Sequence, residues 1–116
     1  RVHACQSSAR CRRRQRGLRL YDTPISDDGL IPLAELAELE HLDLSRTQTT
    51  DNGLAHLANL AELRNLYLYN DRVTDAGISR LAGNQKLDLL YLYGTRVNDE
   101  GVNELNKALP NVQVKR

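Results

Sequence analysis

The sequence predicts an α/β solenoid in which short parallel strands form one sheet and helical turns cover its other side. Three observations support this fold class: a pattern that recurs every 24 residues, alternating Leu at the start of each period, and Leu at every third position afterwards. Asp and Gly recur in the same register, which enrichment in Leu alone would not produce. The recurring positions form these columns: Leu18, Leu42, Leu66 and Leu90; Leu20, Leu44, Leu68 and Leu92; Asp27, Asp51, Asp75 and Asp99; Gly29, Gly53, Gly77 and Gly101; Leu33, Leu57, Leu81 and Leu105.

The first part of each period predicts a strand. In His41-Leu42-Asp43-Leu44-Ser45 the apolar residues alternate with polar ones, which is typical of a strand with one buried face. We therefore expect the two Leu residues of each strand in the core and the residues that flank them on the outside of the sheet.

The second part predicts an α-helical or 3₁₀ segment with one apolar stripe, as in Leu54, Leu57, Leu60 and Leu63. The Asp before this stripe suits the positive end of a helix dipole, and the residue before it suits an N-cap, which leaves open which of the two is the cap. Gly in a first helical turn predicts close packing between neighbouring coils. The residues that precede the Asp column are Ser26, Thr50, Thr74 and Asn98.

The repeat defines a domain over residues 18–116, with about four repeats and a C-terminal cap. Pro110 is expected to end the last helix, and Val112 and Val114 predict a final short strand. Residues 1–17 form an Arg-rich head without the repeat, which we expect to be disordered or a poor cap. The exposed Leu residues of the first coil then favour missing upstream sequence or self-association through that coil.

Three residues depart from the repeat. Asp71 stands in a column of Thr residues, Thr23, Thr47 and Thr95, which we expect to hydrogen-bond the backbone of the adjacent coil; Asp also accepts such bonds. Thr49 and Asn84 occupy columns that otherwise hold apolar residues or Ala, and they predict local looseness.

Two consecutive periods read LEHLDLSRTQTTDNGLAHLANLAE and LRNLYLYNDRVTDAGISRLAGNQK. They resemble the leucine-rich repeat family, in its bacterial 24-residue class with a T-x-V/I-T-D-x-G-L signature, which is related to the cysteine-containing repeats of F-box proteins. The resemblance implies a leucine-rich-repeat solenoid with the parallel sheet on the concave face and helices on the convex face. It also implies a non-catalytic scaffold that binds another protein.

All Tyr residues of the chain fall in the outward columns of the predicted sheet. The matching stretches LYLYNDRVTDAG and LYLYGTRVNDEG place pairs of Tyr on adjacent strands, about 4.8 Å apart. Such rows either stabilise the sheet by stacking or form a binding surface, and we favour binding because Tyr occurs nowhere else in the chain. The proposed anchors are Tyr67, Tyr69, Tyr91 and Tyr93, and the proposed surround is Tyr21, His41, Asp43, Asn65 and Leu89.

Other chemistry receives less support from the sequence. His41, Asp43 and Ser45 share a face, but successive outward positions lie about 6–7 Å apart, too far for a catalytic relay. Arg19 beside Asp43 predicts a surface ion pair. We expect no enzyme activity, no cofactor and no metal; His3, Cys5 and Cys11 match no strong zinc pattern, and free thiols are expected.

Several alternatives for partner and location remain open. The formal net charge of +1 gives no general reason to expect nucleic acid, although six Arg residues within residues 1–16 are compatible with phosphate binding by the head. The chain begins with Arg1, which is compatible with a fragment or capping part of a larger repeat protein. A substrate-recruiting subunit of a ubiquitin-ligase-like assembly is a further alternative, although no F-box segment accompanies the repeats. The sequence shows no membrane span or signal peptide, and a cytoplasmic location is favoured.

Overall fold

The computed structural model of the protein describes residues 15–116, and five short strands run through this range. They are β1 (Gly17–Arg19), β2 (His41–Asp43), β3 (Asn65–Tyr67), β4 (Leu89–Tyr91) and β5 (Gln113–Lys115). Each strand pairs in parallel with the next one along the chain, so the sheet has the order β1-β2-β3-β4-β5. The predicted solenoid is confirmed by this topology, because parallel neighbours require the chain to cross over after every strand.

The register of the sheet follows the repeat. Leu42 of β2 pairs with Leu18 on one side and with Leu66 on the other, and Leu66 pairs with Leu90. Leu42, Leu66 and Leu90 are buried, while Leu18 in the first strand is only partly buried. Identical residues therefore stack on one another along the core of the described coils.

Short helical segments lie on the other side of the core. They are the 3₁₀ helices Asp27–Glu35, Ala55–Leu57 and Ser79–Gly83 and the α-helices Asp51–Leu54, Asp75–Ile78 and Asp99–Ala108. The spacing of Leu by three residues suits 3₁₀ geometry, in which residues i and i+3 lie on one side. Leu54, Leu57, Leu60 and Leu63 are all fully buried, so the whole predicted stripe lies in the core.

The Asp column links neighbouring coils. Asp27 accepts hydrogen bonds from the backbone N–H of Thr50, at 2.7 Å, and from its hydroxyl group. Asp51 makes the same two bonds with Thr74, at 2.7 and 2.5 Å. Thr50 and Thr74 occupy N-cap positions, but their side chains make no capping hydrogen bond to their own helices. Their hydroxyl groups instead donate to the preceding coil, a role that the sequence did not indicate.

The Gly column leaves room for these Asp side chains. A Cβ atom on Gly77 would overlap the carboxylate of Asp51 and lie 3.0 Å from its Cα, and one on Gly53 would overlap the carboxylate of Asp27. The expected close approach between coils is therefore present, and it joins a Gly backbone to an Asp side chain of the preceding coil.

The Thr column acts within its own coil, so the expected bonds to the adjacent coil are wrong. The hydroxyl groups of Thr23, Thr47 and Thr95 donate to the carbonyl groups three residues earlier, at 2.7, 2.8 and 2.7 Å. Asp71 alone reaches the neighbouring coil from this column, where it accepts the backbone N–H of Thr47 at 3.0 Å.

Thr49 and Asn84 are fully buried, and the expectation of local looseness is wrong for both. The hydroxyl oxygen of Thr49 lies 2.8 Å from that of Thr47. The side-chain amide of Asn84 donates to the carbonyl groups of Leu57 and Leu60, both at 3.0 Å. Each polar side chain thus contributes hydrogen bonds inside the core, and Asn84 connects two coils.

The two ends of the described range differ. The last helix ends at Ala108, before Pro110, and β5 then adds the final strand. The side chain of Arg116 hydrogen-bonds the carboxylate of Asp99 and the carbonyl of Val97. Residues 1–14 lie outside the described residues, and with them His3, Cys5, Cys11 and most of the Arg-rich head, so the expectations for the head stay predictions.

Candidate functional site

The sheet face is the outward surface of the five strands and of the residues that directly follow them. Backbone hydrogen bonds continue past the strands, from Asp22 N to Ser45 O and from Arg46 N to Tyr69 O. The predicted outward columns therefore lie in register, side by side, beyond the strands themselves. These columns are Gly17, His41, Asn65, Leu89 and Gln113; Arg19, Asp43, Tyr67, Tyr91 and Lys115; Tyr21, Ser45, Tyr69 and Tyr93.

The four predicted anchors form one aromatic cluster. The rings of Tyr67 and Tyr91 are stacked, with centroids 4.4 Å apart and planes 4° apart. The ring of Tyr69 meets Tyr67 and Tyr91 edge-on, at 6.2 and 5.7 Å, and Tyr93 lies 5.5 Å from Tyr69 in a tilted arrangement. Stacked and edge-on pairs are the two favoured aromatic geometries, so the cluster is held together as a unit.

The phenols of Tyr67 and Tyr69 stay neutral at physiological pH. Burial raises the pKa of Tyr67 and that of Tyr69, and the neighbouring Tyr91 raises both further. Each phenol therefore keeps a hydroxyl that both donates and accepts hydrogen bonds. Exposure differs within the set: Tyr21 and Tyr93 are 48% and 49% exposed, whereas the other three Tyr residues are half-buried.

The surround contains two polar arrangements. Nδ1 of His41 lies 2.6 Å from Nδ2 of Asn65 on the next strand, within hydrogen-bonding distance. Asp43 is half-buried, and its carboxylate accepts the backbone N–H of Ser45 at 3.0 Å. Leu89 is half-buried in the same column as His41, between Asn65 and Gln113.

The predicted ion pair between Arg19 and Asp43 is absent, since no nitrogen of Arg19 lies within 4.0 Å of the Asp43 carboxylate. Ion pairs instead join other residues 24 positions apart, as in Arg46 with Asp22 at 2.7 Å and Arg16 with Glu40 at 3.1 Å. Asp43 consequently remains the unpaired acid of the sheet face among residues 15–116.

Ser45 is only 5% exposed, so its expected position as an exposed hydroxyl is wrong. Its oxygen accepts the backbone N–H of Tyr69 at 3.0 Å. The side chains of Ser45 and His41 are thus held by separate partners on the next coil and form no relay. Among the described residues, no group of three potential ligands is placed to hold a metal ion, and no helix there is long and apolar enough to cross a membrane.

The sequence patterns did not lead us to predict one column of the site, which consists of the turn residues after the strands. Each of the first four strands is followed by a residue with positive φ: Asp22 at 60°, Arg46 at 54°, Asn70 at 62° and Gly94 at 78°. Asp, Asn and Gly tolerate this left-handed conformation best, and their recurrence at three of the four positions was the available signal, with Arg46 as the exception. Arg46 and Asn70 line the same open groove as Tyr21, Asp43 and Tyr69, so these turns form part of the site.

No protein-family model matches the sequence, and no curated protein matches it. Among solved structures, the chain is similar to a leucine-rich-repeat protein of Leptospira interrogans, with a TM-score of 0.67, 18% identity, and coverage of 100% of this chain and 28% of that one. It is similar to internalin C2 of Listeria monocytogenes, with a TM-score of 0.56, 30% identity, and coverage of 73% of this chain and 36% of that one. It is also similar to a chain of the Chaetomium Mex67:Mtr2 subunits, with a TM-score of 0.66, 21% identity, and coverage of 95% and 88%.

These likenesses confirm the leucine-rich-repeat fold. The chain spans 28% and 36% of the lengths of the two bacterial proteins, so it corresponds to a part of each. The assignment to a particular 24-residue repeat class is not tested by them and stays a prediction.

Proposed function

We propose that the protein is a non-catalytic recognition scaffold that binds a partner protein through the sheet face. The main support for this proposal is that every Tyr residue of the chain occupies a position on that face and that four of their rings form a contact cluster. Tyr provides a large amphipathic contact area at a low entropic cost, and it is enriched where binding energy is concentrated.

The distribution of exposure supports binding over a purely structural role. Stacking of Tyr67 on Tyr91 uses half-buried rings, which is what stabilisation of the sheet requires. Tyr21 and Tyr93 are about half exposed on the same face, which leaves amphipathic aromatic surface available for a partner. Stabilisation of the sheet is thus assigned to Tyr67 and Tyr91, and partner binding to Tyr21 and Tyr93.

The experiment compares capture of proteins from a lysate of the source organism. The test variant carries Tyr21→Ser and Tyr93→Ser, which remove the exposed rings and keep the stacked pair intact. The matched control is Ile31→Ser, because Ile31 is an equally exposed apolar residue, at 52%, on the helical side.

A protein that binds the wild type and the Ile31→Ser variant, and not the doubly substituted variant, supports the proposal. Equal capture by all three proteins contradicts it and leaves the Tyr rows as stabilising features of the sheet. Circular dichroism and urea denaturation of each variant establish first that the solenoid stays folded.

A further inference from the structure

A notch lies between two Tyr residues on the sheet face. Tyr21, Ser45 and Tyr69 stand side by side on three successive coils, and the hydrogen bonds from Asp22 N to Ser45 O and from Arg46 N to Tyr69 O keep them in register. Ser45 is small and buried, whereas the residues on both sides carry aromatic rings. The side chain at the middle position therefore projects less from the sheet than the side chains on either side of it.

The notch leaves the face of Tyr21 open to one flat group. Tyr21 and Tyr69 are two strand spacings apart, about 9.6 Å between their backbones. Tyr69 is held against Tyr67, Tyr91 and Tyr93, and its ring stands at 79° and 82° to the stacked rings of Tyr67 and Tyr91, so Tyr69 bounds the notch without offering it a parallel ring face. In the described part of the chain Tyr21 makes no ring contact with another aromatic residue, so its face is open to such a group.

The notch contains one carboxylate without an ion pair among residues 15–116. Asp43 precedes Ser45 by two residues and lines the same open groove as Tyr21 and Tyr69. Among residues 15–116 the hydrogen bond to its carboxylate comes from Ser45 N alone, which occupies Oδ1 and leaves Oδ2 available. Half-burial strengthens the field of this carboxylate relative to a fully solvated one.

Two cations border the notch, and neither is bound to Asp43. Arg46 is held in a two-bond ion pair with Asp22, at 2.7 and 2.9 Å, so its charge is compensated. Arg19 lies beside Asp43 on the neighbouring strand without forming an ion pair, and it is the group that would compete with an incoming cation.

We propose that this notch binds the guanidinium group of an arginine on the partner protein. A guanidinium is planar and stacks on aromatic faces, and its fork of N–H donors matches a carboxylate. Tyr21 would stack on one face of the guanidinium while Asp43 accepts its hydrogen bonds and Tyr69 bounds the other side of the notch. The ammonium group of Lys lacks the plane and fills the notch less well. The inference rests on the proposed function and specifies the partner's chemistry.

The test is a titration of the full chain, labelled with ¹³C in its Tyr rings, and followed by NMR. The probe is acetyl-Gly-Arg-Gly-amide, with the citrulline peptide as the uncharged isostere and the Lys peptide as the charged non-planar control. We expect shifts of the Tyr21 and Tyr69 signals and an affinity about fivefold higher for the Arg peptide than for the citrulline peptide.

Three variants make the test specific. Asp43→Asn removes the carboxylate and should abolish the preference for Arg over citrulline. Glu104→Gln removes an exposed acid from the last helix and should leave that preference unchanged. Arg19→Gln removes the neighbouring competitor and should raise the affinity for the Arg peptide.

Equal binding of the Arg and citrulline peptides, or shifts confined to Tyr67 and Tyr91, would overturn the assignment. Substitution of the three consecutive arginines by Arg12→Gln, Arg13→Gln and Arg14→Gln in the full chain tests the source of the occupant. An increase in probe affinity on that substitution would show that the chain's own head fills the notch, which contradicts a partner arginine.

The proposed function has a separate readout. If the peptides fail to discriminate but the Tyr21→Ser, Tyr93→Ser variant still loses its captured protein, the arginine notch is wrong and recognition by the sheet face stands. If the peptides discriminate and no protein is captured through the Tyr residues, the notch binds guanidinium groups, but the proposed function fails and the assignment to a partner's arginine fails with it.

Discussion

Replacing Asp71 with Thr tests how the solenoid accommodates a buried acid. Asp71 is 2% exposed, and its Oδ2 is a buried oxygen without a hydrogen-bond partner, while Oδ1 accepts Thr47 N at 3.0 Å. Burial raises the pKa of its carboxyl group from 3.8 to about 7; the nearby Asp43 raises it further and the bonds from Thr47 act in the opposite direction. Thr is the residue that the other coils carry at this position.

The sign of the effect follows from proton binding. Between its unfolded pKa near 4 and its folded pKa near 7, Asp71 keeps its proton in the folded chain and has lost it in the unfolded chain. Folding then takes up a proton, so the free energy of unfolding decreases as the pH rises through this window and levels off above it. From pH 5 to pH 8 the decrease accumulates over about two pH units, or ~2.7 kcal/mol.

Urea denaturation at pH 5, 6, 7 and 8 measures this directly. We expect the stability difference between Asp71→Thr and the wild type to grow in favour of the variant by ~2–3 kcal/mol across the range. The control Glu104→Gln, at an exposed position, should differ from the wild type by a constant amount. If the wild type and Asp71→Thr change in parallel with pH, Asp71 ionises normally in the folded chain and the reasoning is refuted.

Two further experiments probe the contacts between coils. Gly77→Ala should lower the free energy of unfolding by at least about 2 kcal/mol, because the new Cβ meets the carboxylate and backbone of Asp51. The control Gly83→Ala, which has open space around its Cβ, should change the free energy of unfolding by less than about 1 kcal/mol. Equal effects of the two substitutions in chemical denaturation would contradict the steric argument. A double-mutant cycle with Tyr67→Ala and Tyr91→Ala should give a coupling of about 1 kcal/mol for the stacked pair, and a coupling near zero would mean that stacking does not stabilise the sheet.

The fold was predictable because its signals lie in the sequence order itself. A period of 24 residues specifies both the strand and its register, so Leu18, Leu42, Leu66 and Leu90 had to become neighbours once the coils stacked. The same reasoning placed Tyr67 beside Tyr91, and their ring contact follows from the register.

The hydrogen-bonding partners of the polar side chains were less predictable, because a polar side chain in a repeat can reach groups of its own coil and of the neighbouring coils. The Asp column suited the helix dipole, yet Asp27 and Asp51 bind Thr residues of the next coil. Ser45 occupies an outward position by alternation, but a small side chain between larger ones becomes buried and accepts Tyr69 N. Asn84 looked like a defect in an apolar column, and only the three-dimensional structure shows the two carbonyl groups that it joins.

Within such a repeat, function is best sought where neighbouring coils differ. The Leu, Asp and Gly columns are uniform because every coil must solve the same packing problem, so their residues carry little information about a partner. The outward columns are free of that requirement, and there the series changes from Arg19 through Asp43 to Tyr67 and Tyr91. One unpaired carboxylate among aromatic rings is the strongest break in that series. The proposed arginine of the partner would satisfy this charge and these rings together.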